Sequence, residues 1–317
     1  MPAEQQLAGV SDLLIVAAVL LYLAAMIGFA LELAFGRSQA GSAVVPARQP
    51  VGAGVGSPGG PVDAAAPDAG AAIVEPPNWV PKAGWLAMAL GWLGWAANLG
   101  AIVTRGLAVD RWPWGNMYEF VVAISFAAVT AFLGTQLRQN VRFLGAFVMV
   151  TAALGLGFAV KVLYTAAGPV VPALNSYWVA IHVTAAILAS GLFIVAGVAG
   201  ILYLIRGDGS SRLPSRPELE RAANRAIVFA FPVWTFAVIA GALWADKAWG
   251  RYWGWDPKEV WAFITWVAYA AYLHARVTAG WRGRAATIVQ LVAFGCLLFN
   301  LVGVNMFISG LHSYSGL

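Results

Sequence analysis

Charge is what this sequence has least of. Lys, Arg, Asp and Glu supply 10% of the 317 residues, against 61% that are hydrophobic, where a soluble domain carries about 25% charged residues. A water-solvated globule is therefore excluded, and a mean hydropathy of +0.75 points to an integral membrane protein. Cysteine is almost missing as well. Cys296, in the last apolar run, stands alone, so no internal disulfide can form and the residue reads as a small apolar group in a packed helix. The nineteen Lys and Arg never gather into one basic surface. They are spread over short connections, which argues against nucleic-acid binding.

What fills the chain instead is a series of apolar runs, each close to the roughly 20 helical residues that cross a hydrocarbon core. They fall at about 13–36, 83–105, 118–137, 143–166, 178–205, 226–245, 259–278 and 286–308. The first lacks the basic start of a secretory signal, so it reads as a spanning helix. The fold class is all-α: a polytopic transmembrane bundle of about eight spanning helices. With the N-terminus outside, Arg37, Arg48, Lys82, Arg138, Arg142, Arg206, Arg212, Arg216, Arg221, Arg225, Arg276, Arg282 and Arg284 face inward. Arg105, Arg111, Lys161, Lys247, Arg251 and Lys258 face outward. The positive-inside rule then makes both termini extracytoplasmic.

Three regions are expected: a first transmembrane helix at 1–36, a disordered cytoplasmic linker at 37–82, and a seven-helix core at 83–317. The linker is rich in Gly, Ala, Pro and Ser and cannot bury enough apolar surface to fold. The segment 206–225 is expected to form a short surface helix from Arg216 on, with Pro217 in its first turn. Outward connections at 105–120, 165–178 and 244–259, with the tail 309–317, reach the same face.

Only three histidines are present: His182, His274 and His312. His182 lies near the outer end of its run and His312 just past the last run, so these two share a depth. His274 is fifteen residues beyond Glu259, about 22 Å deeper at the helical rise. A single histidine is ordinarily structural or an interfacial anchor, and His312 alone would read that way. An ionisable residue inside the hydrocarbon layer is costly and marks function by default, which singles out His274. Two histidines at one depth beside aromatic side chains would suit the axial positions of heme iron, because neutral imidazole ligates iron and a flat apolar macrocycle needs aromatic cover.

Aromatic cover is concentrated in WGRYWGWDPKEVW, residues 249–261. Tryptophan also collects at membrane interfaces without further function. Here Gly250 and Gly254 punctuate the indoles, indicating a shaped loop. Asp256, Pro257 and Glu259 have the spacing of an N-cap, a first helical proline and a capping box, which assigns Asp256 and Glu259 a structural role.

The stretch WGRYWGWDPKEVWAFITWVAYAAYLHAR resembles the W-G-x-x-W-x-W-D (WWD) signature of heme-handling proteins, in the CcsA (ResC) branch of cytochrome c biogenesis. WPWGNMYEF (112–120), LNSYWVAIHV (174–183) and FNLVGVNMFISGLHSYSG (299–316) resemble further segments of that branch, in the same order. The likeness covers most of the chain after about residue 83.

Carried over by position, the resemblance implies that His182 and His312 ligate heme iron on the outer face. Trp249, Gly250, Trp253, Trp255 and Asp256 would hold the porphyrin in the loop 244–259, and His274 would belong to an inner heme site. It further implies heme b as a substrate in transit and a CcsB (ResB) partner that supplies the second inner histidine. An apocytochrome c bearing Cys-x-x-Cys-His, whose thiols add to the heme vinyl groups, would be the acceptor, giving a subunit of a holocytochrome c synthase. The chain has no Cys-x-x-Cys-His of its own, so thiol-reducing proteins would support the reaction. The expected location is the plasma membrane. Alternatives are heme delivery to a chaperone as in the CcmC branch, a permanent heme b electron-transfer subunit, or a transporter of apolar substrates. Eight apparent spans rather than six, and the histidine of YLHAR, argue against the first. Histidines at the outer edge rather than at matched depth in the bilayer argue against the second, and the histidines themselves against the third.

Overall fold

A computed structural model describes residues 3–36, 77–170, 172–174, 176–206 and 213–312. The chain runs as α1 (Ala3–Phe35), α2 (Trp79–Val109), α3 (Met117–Gln136), α4 (Gly145–Val162), α5 (Tyr177–Ile205), α6 (Arg216–Trp249), α7 (Pro257–Thr278) and α8 (Gly283–Leu298). A π-helical turn at Phe299–Gly303 and the short α9 (Val304–Phe307) continue α8. All regular structure among the described residues is helical. The expected linker lies almost wholly outside them, and α2 begins at Trp79, four residues inside its expected end.

Each expected apolar run is a helix, and the chain is a multi-pass membrane protein. Among the described residues seven helices, α8 being taken together with its π turn and α9, are long and apolar enough to cross a membrane. The helix outside that group is α7, where Trp261, Trp266, Tyr269, Tyr272 and His274 lower the hydropathy of a 22-residue helix. One expectation is corrected: Arg216 does not start a separate surface helix. The polar segment from Arg216 continues without a break into the apolar one as the 34-residue α6, with Pro217 in its first turn and Ser215 and Glu218 closing a capping box.

Small residues set the packing. α5 is the innermost helix, with Ala189, Gly191, Ala196, Ala199 and Gly200 buried along it, and it packs against α3, α6 and α8. A methyl group on Gly191 would come within 2.6 Å of the α3 backbone at Ala127. That separation requires glycine, as in other close helix crossings within membranes. Outside this centre, α1 packs on α2 and α4, while α7 packs on α8 and α6.

Alternation of the helices brings 110–116, 163–170, 250–256 and 308–312 to one end of the bundle. The hydroxyl of Ser11 donates to Ala101 O (2.9 Å) and that of Tyr164 to Asp12 Oδ2 (2.9 Å), which fixes the α1 start at this end. The opposite end carries ion pairs of its own, Arg142 with Glu32 (3.2 Å) and Arg276 with Glu220 (2.5 Å).

Candidate functional site

At the first of these ends a cavity opens between α5, α6, the start of α7, the π turn and residues 114–117. The space between its walls, open mouth included, is about 1090 Å³. Its lining is mostly apolar and aromatic, with Trp114, Phe120, Trp234, Trp244, Trp249 and Trp253 among the walls. Two of the three histidines, His182 and His312, stand in it.

His182 comes from the second turn of α5, whose start is capped by Ser176. Its Nδ1 lies 2.8 Å from Ala237 O of α6. A carbonyl can only accept, so the proton sits on Nδ1 and the lone pair on Nε2. The ring reaches α6 because residue 241 is glycine: a methyl group there would lie 2.7 Å from the His182 Cε1 atom.

His312 follows the last helix, and its Nδ1 lies 2.8 Å from Asp256 Oδ2. A carboxylate likewise can only accept, so this ring holds the same tautomer. Asp256 Oδ1 takes the Leu311 N–H at 2.6 Å, tying the terminal segment to α7. Burial raises the Asp256 carboxyl, but hydrogen bonds from the His312 ring and the backbone N–H groups of Leu311 and Lys258 outweigh it and hold the group below its ordinary value. An imidazole oriented by a carboxylate through its far nitrogen is the usual arrangement around a metal-ligating histidine.

Trp244, buried near the end of α6, connects the pair. Its ring is nearly parallel to that of His182 (6.1 Å, 12°) and edge-on to that of His312 (5.7 Å, 66°). Trp249 packs against both Trp244 (4.8 Å) and His312 (5.1 Å).

Loop 250–256 turns sharply to close this wall. Gly250 ends α6 in the left-handed region at φ 71°, and Trp255 adopts φ 57°, an outlying conformation for a bulky residue. Glu259 Oε2 holds the turn by accepting from Gly254 N (2.8 Å) and Asp256 N (3.0 Å). The capping box read from the sequence is formed. Trp249 and Trp253 line the cavity, whereas Trp255 is 67% exposed and lies outside the lining, with its ring 5.7 Å from that of Trp253.

His274 is not brought to this cavity. It sits near the far end of α7, exposed on the same helix stripe as Phe263, Val267 and Ala271.

Several site residues were not evident in the sequence. The Ala237 carbonyl, Gly241 and Trp244 carry no local signal, because their relation to the histidines is a packing relation between helices. Asp256 does both jobs, capping α7 and orienting His312, and only the first shows in local spacing. A further group shapes the wall at 114–117. Glu119 is clamped by Arg105 Nε (3.1 Å) and by Arg111 Nη1 and Nη2 (2.9 and 3.1 Å), and it accepts from Gly115 N at 2.8 Å. Arg105 and Glu119 are both buried, so the ion pair stands in place of water.

The arrangement is two imidazoles of one tautomer, within a mostly apolar, aromatic-walled cavity that opens at the end of the bundle. It suits a metal whose other positions are filled by a flat macrocycle.

Residues 114–312 match the family described as cytochrome c assembly protein. A protein named cytochrome c biogenesis protein CcsA from Synechococcus elongatus is 32% identical over 291 residues, covering 74% of this chain and 88% of that protein. Its namesake from Synechocystis is 32% identical, covering 77% and 91%. The Chlamydomonas reinhardtii namesake is 36% identical, covering 67% and 64%.

Proposed function

The chain belongs to the cytochrome c assembly protein family, and on that premise we propose that it carries heme b to this cavity and presents it there for attachment to apocytochrome c. Heme is cargo in this reading, not a resident group. The family places the chain in cytochrome c biogenesis. The observation that carries the finer reading is the matched pair His182 and His312, both lining one cavity and both with Nδ1 given to an acceptor. Each then offers Nε2 to the two axial positions of the iron.

Other residues act around that pair. Ala237 O and Asp256 fix the ring orientations. Trp249 and Trp253 cover the macrocycle, Gly250 permits the turn that places them, and Trp255 stands at the rim. The acceptor is an apocytochrome whose Cys-x-x-Cys-His thiols add S–H across the vinyl groups, with thiol-reducing proteins keeping those cysteines reduced.

His274 has another task. Its exposure on an apolar stripe of α7 supports an inner heme site completed by a CcsB-type partner in the plasma membrane. Such a site lies on the cytoplasmic side, because the arginine-rich end of the bundle faces inward under the positive-inside rule. The cavity and both termini are then extracytoplasmic, and the segment 37–82 serves as a cytoplasmic spacer. A permanent electron-transfer heme is less well supported, since a cavity open at its mouth suits exchange of the ligand.

The test is the absorption spectrum of the full chain purified with its partner. Six-coordinate, low-spin heme that depends on both His182 and His312 supports the reading, and heme indifferent to both substitutions refutes it.

A further inference from the structure

Lys258 is a basic side chain set into this mostly apolar wall. It occupies the second position of α7, and its Nζ donates to the backbone carbonyl of Asn300 at 2.7 Å. That carbonyl belongs to the π turn at Phe299–Gly303, where the wider winding changes the pairing of backbone acceptors. An ammonium has three protons to place. Among the described residues Lys258 makes no ion pair. The nearby carboxylates are otherwise engaged: Asp256 takes the His312 ring proton and the backbone protons of Leu311 and Lys258, and Glu259 takes the backbone protons of Gly254 and Asp256.

Beside it stands an unsatisfied group. Asn300 is 2% exposed, lines the same cavity, and its buried Oδ1 has no hydrogen-bond partner among the described residues. A buried polar atom left in that state costs free energy, and a ligand group that pairs with it recovers that cost. An amide can turn either edge to a ligand, so Asn300 can meet a carboxylate through its NH2 or a carboxylic acid through its oxygen.

We propose that Lys258 and Asn300 form a carboxylate-binding corner of the cavity, which holds one propionate arm of the porphyrin and so fixes the rotation of the macrocycle between the two histidines. This inference rests on the heme reading above. A point charge at one edge gives the macrocycle a preferred orientation that indole faces alone cannot impose. The bond is charge-assisted and formed away from bulk water, which makes it stronger than a neutral one.

The test compares iron protoporphyrin IX with its dimethyl ester, which has the same macrocycle without ionised arms. Both are added to the full chain, purified with its partner from cells unable to make heme, and binding is read from the six-coordinate spectrum. The wild type is expected to bind the diacid roughly tenfold or more tightly than the diester. Lys258→Met should bring the ratio close to one by weakening the diacid, and a cooperative thermal transition in detergent shows that the variant folds. Lys258→Arg should retain the preference. No preference in the wild type, or an unaltered preference in Lys258→Met, overturns the inference while the heme reading stands on its His182 dependence. A wild type that forms the six-coordinate spectrum with neither porphyrin fails the heme reading itself, and the inference with it.

Discussion

Asp256 Oδ2 lies 2.8 Å from His312 Nδ1, and the same carboxylate caps the start of α7. One side chain thus couples the end of the aromatic loop to a histidine 56 residues further on. Asp256→Asn should keep much of the cap, because Asn is as good an N-cap as Asp, but lose the ionic partner of the imidazole. Heme should still bind, with weaker ligation from His312. Asp256→Ala also removes the cap, worth about 1 kcal/mol. Heme retention in detergent, read by absorption, should fall in the order wild type, Asn, Ala. Equal retention in all three would show that Asp256 serves only the helix.

Gly241→Ala tests the seat of His182. The added methyl group would lie 2.7 Å from the ring, closer than carbon atoms approach, so the imidazole must shift off the Ala237 carbonyl. The variant should lose six-coordinate heme while α6 gains helix propensity. A wild-type spectrum would mean that His182 is not held as described.

Glu119→Gln should destabilise the protein, because Arg105 and Arg111 would keep their charges with no carboxylate between them. Breaking a buried pair by removing one partner costs about 3–5 kcal/mol. Reduced thermal stability in detergent, with the remaining folded protein still binding heme, is the expected outcome. Unchanged stability would show that the wall at 114–117 stands without the clamp.

Much of the fold was legible because apolar length is a strong signal. Helix starts with capping chemistry were legible as well: Asp256, Pro257 and Glu259 do what their spacing implied. The boundary of α6 was not, since hydropathy marks where a helix meets lipid rather than where its hydrogen bonds begin. Both outer histidines could be assigned to one end from their depth alone. Their acceptors could not, because Ala237 O is a backbone atom and Asp256 already had a sufficient local explanation. Trp255 illustrates the reverse: it belongs to the aromatic stretch by sequence, but a left-handed backbone turns it out of the cavity lining.

The proposed membrane sidedness rests on the arginine-rich end. In a Cys296→Ser background, a cysteine at Arg251 should react with an impermeant maleimide added to intact cells, and one at Asn140 should react only after lysis. Both positions are exposed, at opposite ends of the bundle. The reverse pattern would invert the topology.

His274→Ala addresses supply. If heme passes an inner site on its way out, this variant should be present at normal abundance yet carry less heme at His182 and His312, about 20 Å away by helical rise. Removing the CcsB-type partner should have the same effect. Full loading of the outer site in a stably expressed His274→Ala variant would end the transit role.

The most direct measurement concerns the two outer histidines. Spectra of the full chain with its partner are recorded for wild type, His182→Ala and His312→Ala, each with and without added imidazole. The account predicts six-coordinate low-spin heme in the wild type and lost or five-coordinate heme in each variant. Imidazole should restore the low-spin spectrum by filling the vacated position. A low-spin spectrum that persists in both variants without imidazole would contradict it.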